Sequence, residues 1–188
     1  TPPANDPRYR AAFPESGGAE RFRRFLAEEV IPFVEARWRA GPRRAIMGES
    51  LAGLFVVETF LKAPDLFEDY VAVSPSLWWD DRADMRRIDE LLARHGPSDR
   101  RLYVAVADEG GTMQDGVDRL RAALLARPPE GMDFRYSDRS ETETHATIYH
   151  GAAEEALRFL YARPPIDYGP TPWFMIEGAS PRETDGPG

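Results

Sequence analysis

The chain has 188 residues, 42% of them hydrophobic, which is enough for one sizeable core and favours a single domain spanning 1–188. Its net charge of −8 argues against nucleic acid or an anionic membrane as the main partner, since either needs a clustered basic face. Cysteine is absent, which excludes disulfides, thiolate chemistry and Cys-ligated metal, and no two of His95, His145 and His150 stand at i, i+4 spacing, so a His-based metal site is not expected.

Pro2, Pro3, Pro7, Pro14 and the Gly17-Gly18 pair make residues 1–17 an expected extended lead-in. The opening Thr1-Pro2-Pro3 is neither an initiator Met nor a secretory leader, so a longer protein is expected; compartment, cytoplasmic or exported, and oligomeric state are left open. From Ala19 to Arg39, Phe22, Phe25, Leu26, Val30, Phe33, Val34 and Trp38 recur at three- and four-residue steps, predicting an amphipathic helix with Pro32 as a kink. Gly41-Pro42 ends it, a short strand is expected over 44–47, and a helix over 51–62 stops before Pro64.

Further on, the pattern predicts strands over 70–73, 102–107 and 132–136. Helices are expected over 82–94, over 114–126 with Val117, Leu120, Leu124 and Leu125 inward, and over 152–161. Strands alternating with helices at these intervals imply an α/β architecture, a mostly parallel sheet with helices on both faces. The tail, 163–188, is rich in Pro and Gly, but Tyr168, Trp173, Phe174, Met175 and Ile176 predict a docked apolar cluster.

Chemistry concentrates where Met47-Gly48-Glu49-Ser50-Leu51-Ala52-Gly53 passes from strand to helix. A serine on such a turn is a nucleophile elbow, which projects the hydroxyl from the sheet edge with a helix N-terminus beside it. The close approach of strand and helix requires small residues two before and two after the serine; Gly48 is one, and Ala52 stands where a second Gly is usual. The competing role for Ser50 is to cap the helix. A serine hydroxyl also needs a base and a group that orients the base. Asp108-Glu109-Gly110-Gly111 follows one late strand and Glu141 to His145 follows the next, an order matching the Ser, acid, His sequence of α/β-hydrolases. Glu109 is the preferred acid over Asp108, and His145 the preferred base over His150. His95, ahead of Gly96-Pro97, is expected to be a cation at a helix C-terminus.

Gly18-Ala19-Glu20-Arg21-Phe22, Glu29-Val30-Ile31-Pro32, the 48–53 elbow, Asp65-Leu66-Phe67, Ser74-Pro75-Ser76-Leu77-Trp78-Trp79 and Glu143-Thr144-His145 together resemble the putative-esterase, or esterase D-like, family, which includes enterochelin and other ferric-siderophore esterases. The likeness runs over most of 17–162. It implies an α/β-hydrolase fold and cofactor-free hydrolysis of a small carboxylic ester through an acyl-enzyme, with Ser50 as nucleophile, His145 as base and the Leu51 backbone N–H as oxyanion donor. Glu49, Trp78 and Trp79 are the expected substrate contacts, with core packing the competing role for the tryptophans. Members of that family carry further strands before their first matching helix, so an α/β-hydrolase domain lacking its N-terminal strands is expected. The rival functional class is a non-catalytic binding module on the same scaffold.

Overall fold

The computed structural model describes residues 1–163, 169 and 170. Its centre is a parallel sheet of β1 (Ala45–Glu49), β2 (Asp69–Val73), β3 (Arg101–Val106) and β4 (Asp133–Asp138), ordered β1-β2-β3-β4. β2 and β3 are apolar after their first residues, Asp69 and Arg101, because parallel strands are covered on both faces, whereas the edge strands β1 and β4 are only partly buried. Tyr70, Ala72, Leu102, Val104 and Val106 point to one face, where they pack with α4 (Leu51–Lys62) and α7 (Gly111–Ala126). Val71, Val73, Tyr103 and Ala105 point to the other, against Ile148, Ala152, Ala156 and Leu160 of α8 (Ile148–Tyr161). This is the period-two alternation of a strand feeding two cores.

The segment expected to be an extended lead-in instead contains α1 (Pro7–Ala12), started by Asp6, whose side chain accepts from Arg8 N–H, with Pro7 at the first turn. It is held down by Asp80, which accepts from the Asn5 backbone and side-chain amides and from Asp6 N–H at 2.8–2.9 Å. Burial raises the Asp80 pKa, but these donors outweigh it and hold the carboxyl below its ordinary value.

The amphipathic stretch after Gly18 forms α2 (Ala19–Phe25), a π-helical turn (Leu26–Val30) and α3 (Ile31–Glu35). The wide turn lies just ahead of Pro32, which has no N–H to give and whose ring crowds the preceding carbonyls, so the expected kink takes the form of a π-bulge. Its apolar stripe is not buried as the periodicity predicts: Phe22, Phe25, Phe33, Val34 and Trp38 are exposed. The helix rests on α4 through Phe22 against Phe55 and Arg23 against Glu58, and these contacts do not cover the rest of the stripe.

Downstream, the single helix expected over 82–94 is two, α5 (Trp79–Arg86) and α6 (Ile88–Leu92), with left-handed backbone at Asp80, Asp81 and Arg82. Leu125 is exposed rather than inward, because it lies off the α7 face carrying Leu120 and Leu124. The tail residues Tyr168, Trp173, Phe174, Met175 and Ile176 lie outside the described residues.

Candidate active site

Ser50, Glu109 and His145 follow β1, β3 and β4, and because all strands run the same way their C-terminal ends bring these segments to one edge of the sheet. Ser50 has φ 57° and ψ −119°, a conformation that L-residues adopt only when surrounding contacts impose it. Its N–H donates to Val73 O at 3.0 Å, and its carbonyl accepts from Leu54 N–H at 2.9 Å and from Ser76 N–H at 3.0 Å. The turn is therefore tied at once to β2, to α4 and to the loop after β2. Its side chain makes no helix-capping hydrogen bond, so the capping role is not what the structure displays.

The close packing that such a turn demands is visible in two glycines. A Cβ on Gly48 would lie 2.6 Å from the backbone of Ala52, and one on Gly53 would lie 3.0 Å from both Pro75 Cα and Val73 O. Ala52 carries its methyl group without difficulty because it is exposed; the helical glycine that the elbow needs is Gly53, one residue later than the pattern suggests.

At the end of β3 the chain turns at Gly110, φ +65°, into α7. The two adjacent carboxylates diverge there. Asp108 is exposed, and its backbone N–H donates to Glu143 O at 3.0 Å. Glu109 folds inward, its side chain 5% exposed, with its carboxylate against His145 Nδ1 at 2.9 and 3.0 Å. An ionised carboxylate only accepts hydrogen bonds, so this contact calls for a proton on Nδ1 and turns Nε2 away from Glu109. His150 is exposed on α8 beside Tyr149 and does not compete for this position.

Ser50 Oγ is 3.3 Å from Ser76 Oγ, and among the described residues no hydrogen bond joins Ser50 to His145. Hydrogen bonds between a nucleophile and its base are often long or poorly aligned in enzymes without substrate, so the missing contact does not decide between roles for Ser50. Ser76, buried at 2%, escaped sequence reasoning except as a letter in a longer match; the only signal was a small polar residue just beyond a strand end. Leu51 begins α4, so its N–H has no intrahelical acceptor and stands beside the Ser50 side chain at the positive end of the helix.

Of the other expected contacts, Glu49 is the half-buried last residue of β1, and Trp78 is half-buried against Tyr9 and Phe13, with ring centroids 6.1 Å from each. Trp79 is buried, its indole N–H donating to Pro2 O at 3.2 Å, so it serves the core under the lead-in. His95, expected as a cation at a helix C-terminus, has its ring 4.8 Å from that of Phe60, and burial pushes its pKa down, which favours the neutral form.

Residues 2–156 match the family model described as Putative esterase. The chain belongs to this esterase family. Among curated relatives, ferri-bacillibactin esterase BesA of Bacillus subtilis is 29% identical over 154 residues, covering 78% of this chain and 53% of BesA. A siderophore enterobactin esterase of Emericella nidulans is 44% identical over 71 residues, covering 36% of this chain and 23% of that protein. The esterase-family chain thus spans about half the length of BesA. Among solved structures, the BES protein from Bacillus cereus superposes with TM-score 0.74 at 24% identity, covering 85% of this chain and 61% of that one. An IroE-like serine hydrolase from Shewanella oneidensis gives TM-score 0.72 at 25% identity, covering 78% and 48%. The fold of this family member is that of the α/β-hydrolases.

Proposed function

We propose that this chain carries the catalytic edge of an esterase that cleaves a small-molecule carboxylic ester through a Ser50 acyl-enzyme. The observation that carries the reading is the pairing of His145 Nδ1 with the sequestered Glu109 carboxylate, at the sheet edge where Ser50 is held in a strained turn. A surface histidine has no need of a carboxylate withdrawn from solvent, whereas a general base needs its tautomer and ring plane set.

In this mechanism His145 Nε2 takes the proton from Ser50 Oγ as Oγ bonds to the ester carbonyl carbon. The carbonyl oxygen becomes an oxyanion and receives the Leu51 N–H, which as a first-turn donor is unspent. Collapse of the tetrahedral intermediate breaks the bond to the leaving oxygen, which takes the proton from Nε2 and departs as the alcohol. Water, deprotonated by the same nitrogen, then attacks the acyl carbon, and collapse breaks the bond from that carbon to Ser50 Oγ, which takes the proton back from Nε2 as the acid leaves. Trp78 is the side chain we place on the wall of the substrate site. No step calls on a metal or organic cofactor. The two curated relatives are named as esterases of ferri-bacillibactin and of the siderophore enterobactin, so siderophore esters are the first class of substrate to test.

The test is the intact mass of the chain after exposure to a fluorophosphonate, beside a Ser50→Ala variant. One adduct, absent from the variant, supports the reading; no adduct on a folded sample counts against it. A second reading, a ligand-binding module without turnover, draws on the Ser50 hydroxyl facing Ser76 rather than His145. It requires ligand binding that survives Ser50→Ala and no adduct on the parent chain.

A further inference from the structure

We propose that Glu143 is the positioning residue that holds His145 against Glu109, a role that rests on the catalytic reading above. His145 lies on the short connection between β4 and α8, and a loop of that kind does not place an imidazole accurately unless something braces it. Glu143, two residues earlier, is braced from both ends. Its carbonyl accepts the backbone N–H of Asp108 at 3.0 Å, tying the loop to the residue next to Glu109. Its carboxylate accepts from the Thr147 hydroxyl at 2.5 Å through Oε2 and from Arg139 Nη2 at 3.4 Å through Oε1.

Those partners are themselves fixed. The Thr147 hydroxyl oxygen also accepts the Thr144 N–H at 3.0 Å, so the carboxylate clasps the two sides of the loop around His145. Arg139 is anchored by its N–H to Val106 O at 2.9 Å and by Nη1 to Glu155 Oε2 at 3.1 Å, and Glu155 in turn accepts from the Ser137 hydroxyl at 2.8 Å. A Cβ on Gly151 would lie 2.5 Å from Arg139 Nη2, so α8 leaves space there for the guanidinium. The Thr147 hydroxyl, and with it Arg139, holds the Glu143 carboxyl below the ordinary glutamate range, as expected of an acceptor wanted in its ionised form.

An isolated i, i+4 ion pair on a surface contributes little. What sets Glu143 apart is that its main chain and its side chain converge on the segments that carry the acid and the base. Asp108, in this arrangement, contributes its backbone and not its carboxylate.

The experiment measures the rate and concentration dependence of fluorophosphonate labelling at Ser50 in the parent chain, Glu143→Ala, Glu143→Gln and Thr147→Val, with thermal melts showing that each is folded. The expected result is a fall of about tenfold in the limiting labelling rate for Glu143→Ala, with half-saturating reagent concentration unchanged, and a smaller fall for Glu143→Gln, which keeps an acceptor. Thr147→Val keeps the shape but removes the hydroxyl, and should also slow labelling. The deciding comparison places Glu143→Ala in a Glu109→Gln background. A residue that acts through the Glu109–His145 pair adds little once that pair is broken, whereas a purely structural residue lowers the rate by the same factor in both backgrounds. Equal rates for the parent and all three single variants, or full additivity with Glu109→Gln, would overturn the proposal while leaving the esterase reading intact. A folded parent chain that takes no adduct overturns both.

Discussion

Nδ1 of His145 lies between the two carboxylate oxygens of Glu109, 2.9 Å from Oε1 and 3.0 Å from Oε2, although the residues are 36 positions apart in the chain. The contact holds the ring with its other nitrogen unbonded among the described residues. Glu109→Gln keeps the size of the side chain but offers Nδ1 an amide whose NH₂ group stabilises the wrong tautomer. We expect it to lower kcat for ester hydrolysis by about 10²- to 10⁴-fold. Asp108→Asn should change it less than about twofold, since the Asp108 carboxylate is turned to solvent. Steady-state kinetics on the two variants give the answer, and equal losses would contradict the assignment of Glu109.

The elbow makes a prediction about stability. Gly48→Ala puts a methyl group 2.6 Å from the Ala52 backbone, and neither the strand nor the helix can retreat without losing its own hydrogen bonds. We expect a loss of at least about 2 kcal/mol in urea denaturation. Gly96 has nothing within 4 Å of its Cβ position, so Gly96→Ala should stay within about 0.5 kcal/mol of the parent.

Asp69, fully buried at the start of β2, accepts from Arg101 Nε at 2.7 Å and Nη2 at 2.8 Å and from Arg43 Nη2 at 2.8 Å. Burial raises its pKa, but the two guanidiniums outweigh it and hold the carboxyl below its ordinary value of 3.8. The resulting stability is complete above 3.8 and is lost as pH falls from there through the lower folded value. Asp69→Asn should cost about 3 kcal/mol at neutral pH, because it leaves two cations without their buried partner. Chemical denaturation at pH 7 and below pH 4 would show the gap between parent and variant closing in acid.

His95 behaves in a related way at higher pH. Burial lowers its folded pKa below the ordinary 6.5, so below that value the unfolded chain binds a proton before the folded one does. The contribution is fully present above 6.5 and declines as pH falls toward the folded value. His95→Leu, which keeps an apolar group against Phe60, should flatten the dependence of the urea midpoint on pH between about 7 and 5. An unchanged slope would mean that the ring is already free to protonate in the fold.

Much of the architecture was legible because it rests on local periodicity. Local patterning predicts the helix over 51–62 to the residue and the cores of all four strands to within a few positions, since continuous apolar runs bounded by Gly and Pro are properties of short segments. The elbow was legible for the same reason: a Gly two before a Ser at a strand-to-helix junction is a local constraint on backbone space.

Local patterning misleads where contacts between distant segments decide the structure. Proline content predicted an extended lead-in, but the Asp80 carboxylate, seventy-odd residues away, gathers three donors from Asn5 and Asp6 and gives α1 a base to stand on. The stripe of Phe22, Phe25, Phe33 and Trp38 has the spacing of a buried face, and spacing carries no information about whether a covering surface is present.

The order of Ser50, Glu109 and His145 and the strand ends on which they sit follow from the amino-acid sequence alone, because alternating strands and helices permit few arrangements other than a parallel sheet with its loops at one edge. The sequence favours Glu109 over Asp108 as the carboxylate that meets the imidazole, and the structure pairs Glu109 with it, but nothing in the sequence forces that choice. Asp108 and Glu109 are neighbours with the same charge, and only the turn at Gly110 and the hydrogen bond from Asp108 N–H to Glu143 O decide that one faces water and the other faces His145. Ser76 and Glu143 are legible only as letters because the contacts that tie them to the site, Ser50 Oγ for the one and the Asp108 N–H for the other, are made across chain crossovers, and hydrogen-bond geometry at three ångströms is a property of the assembled fold.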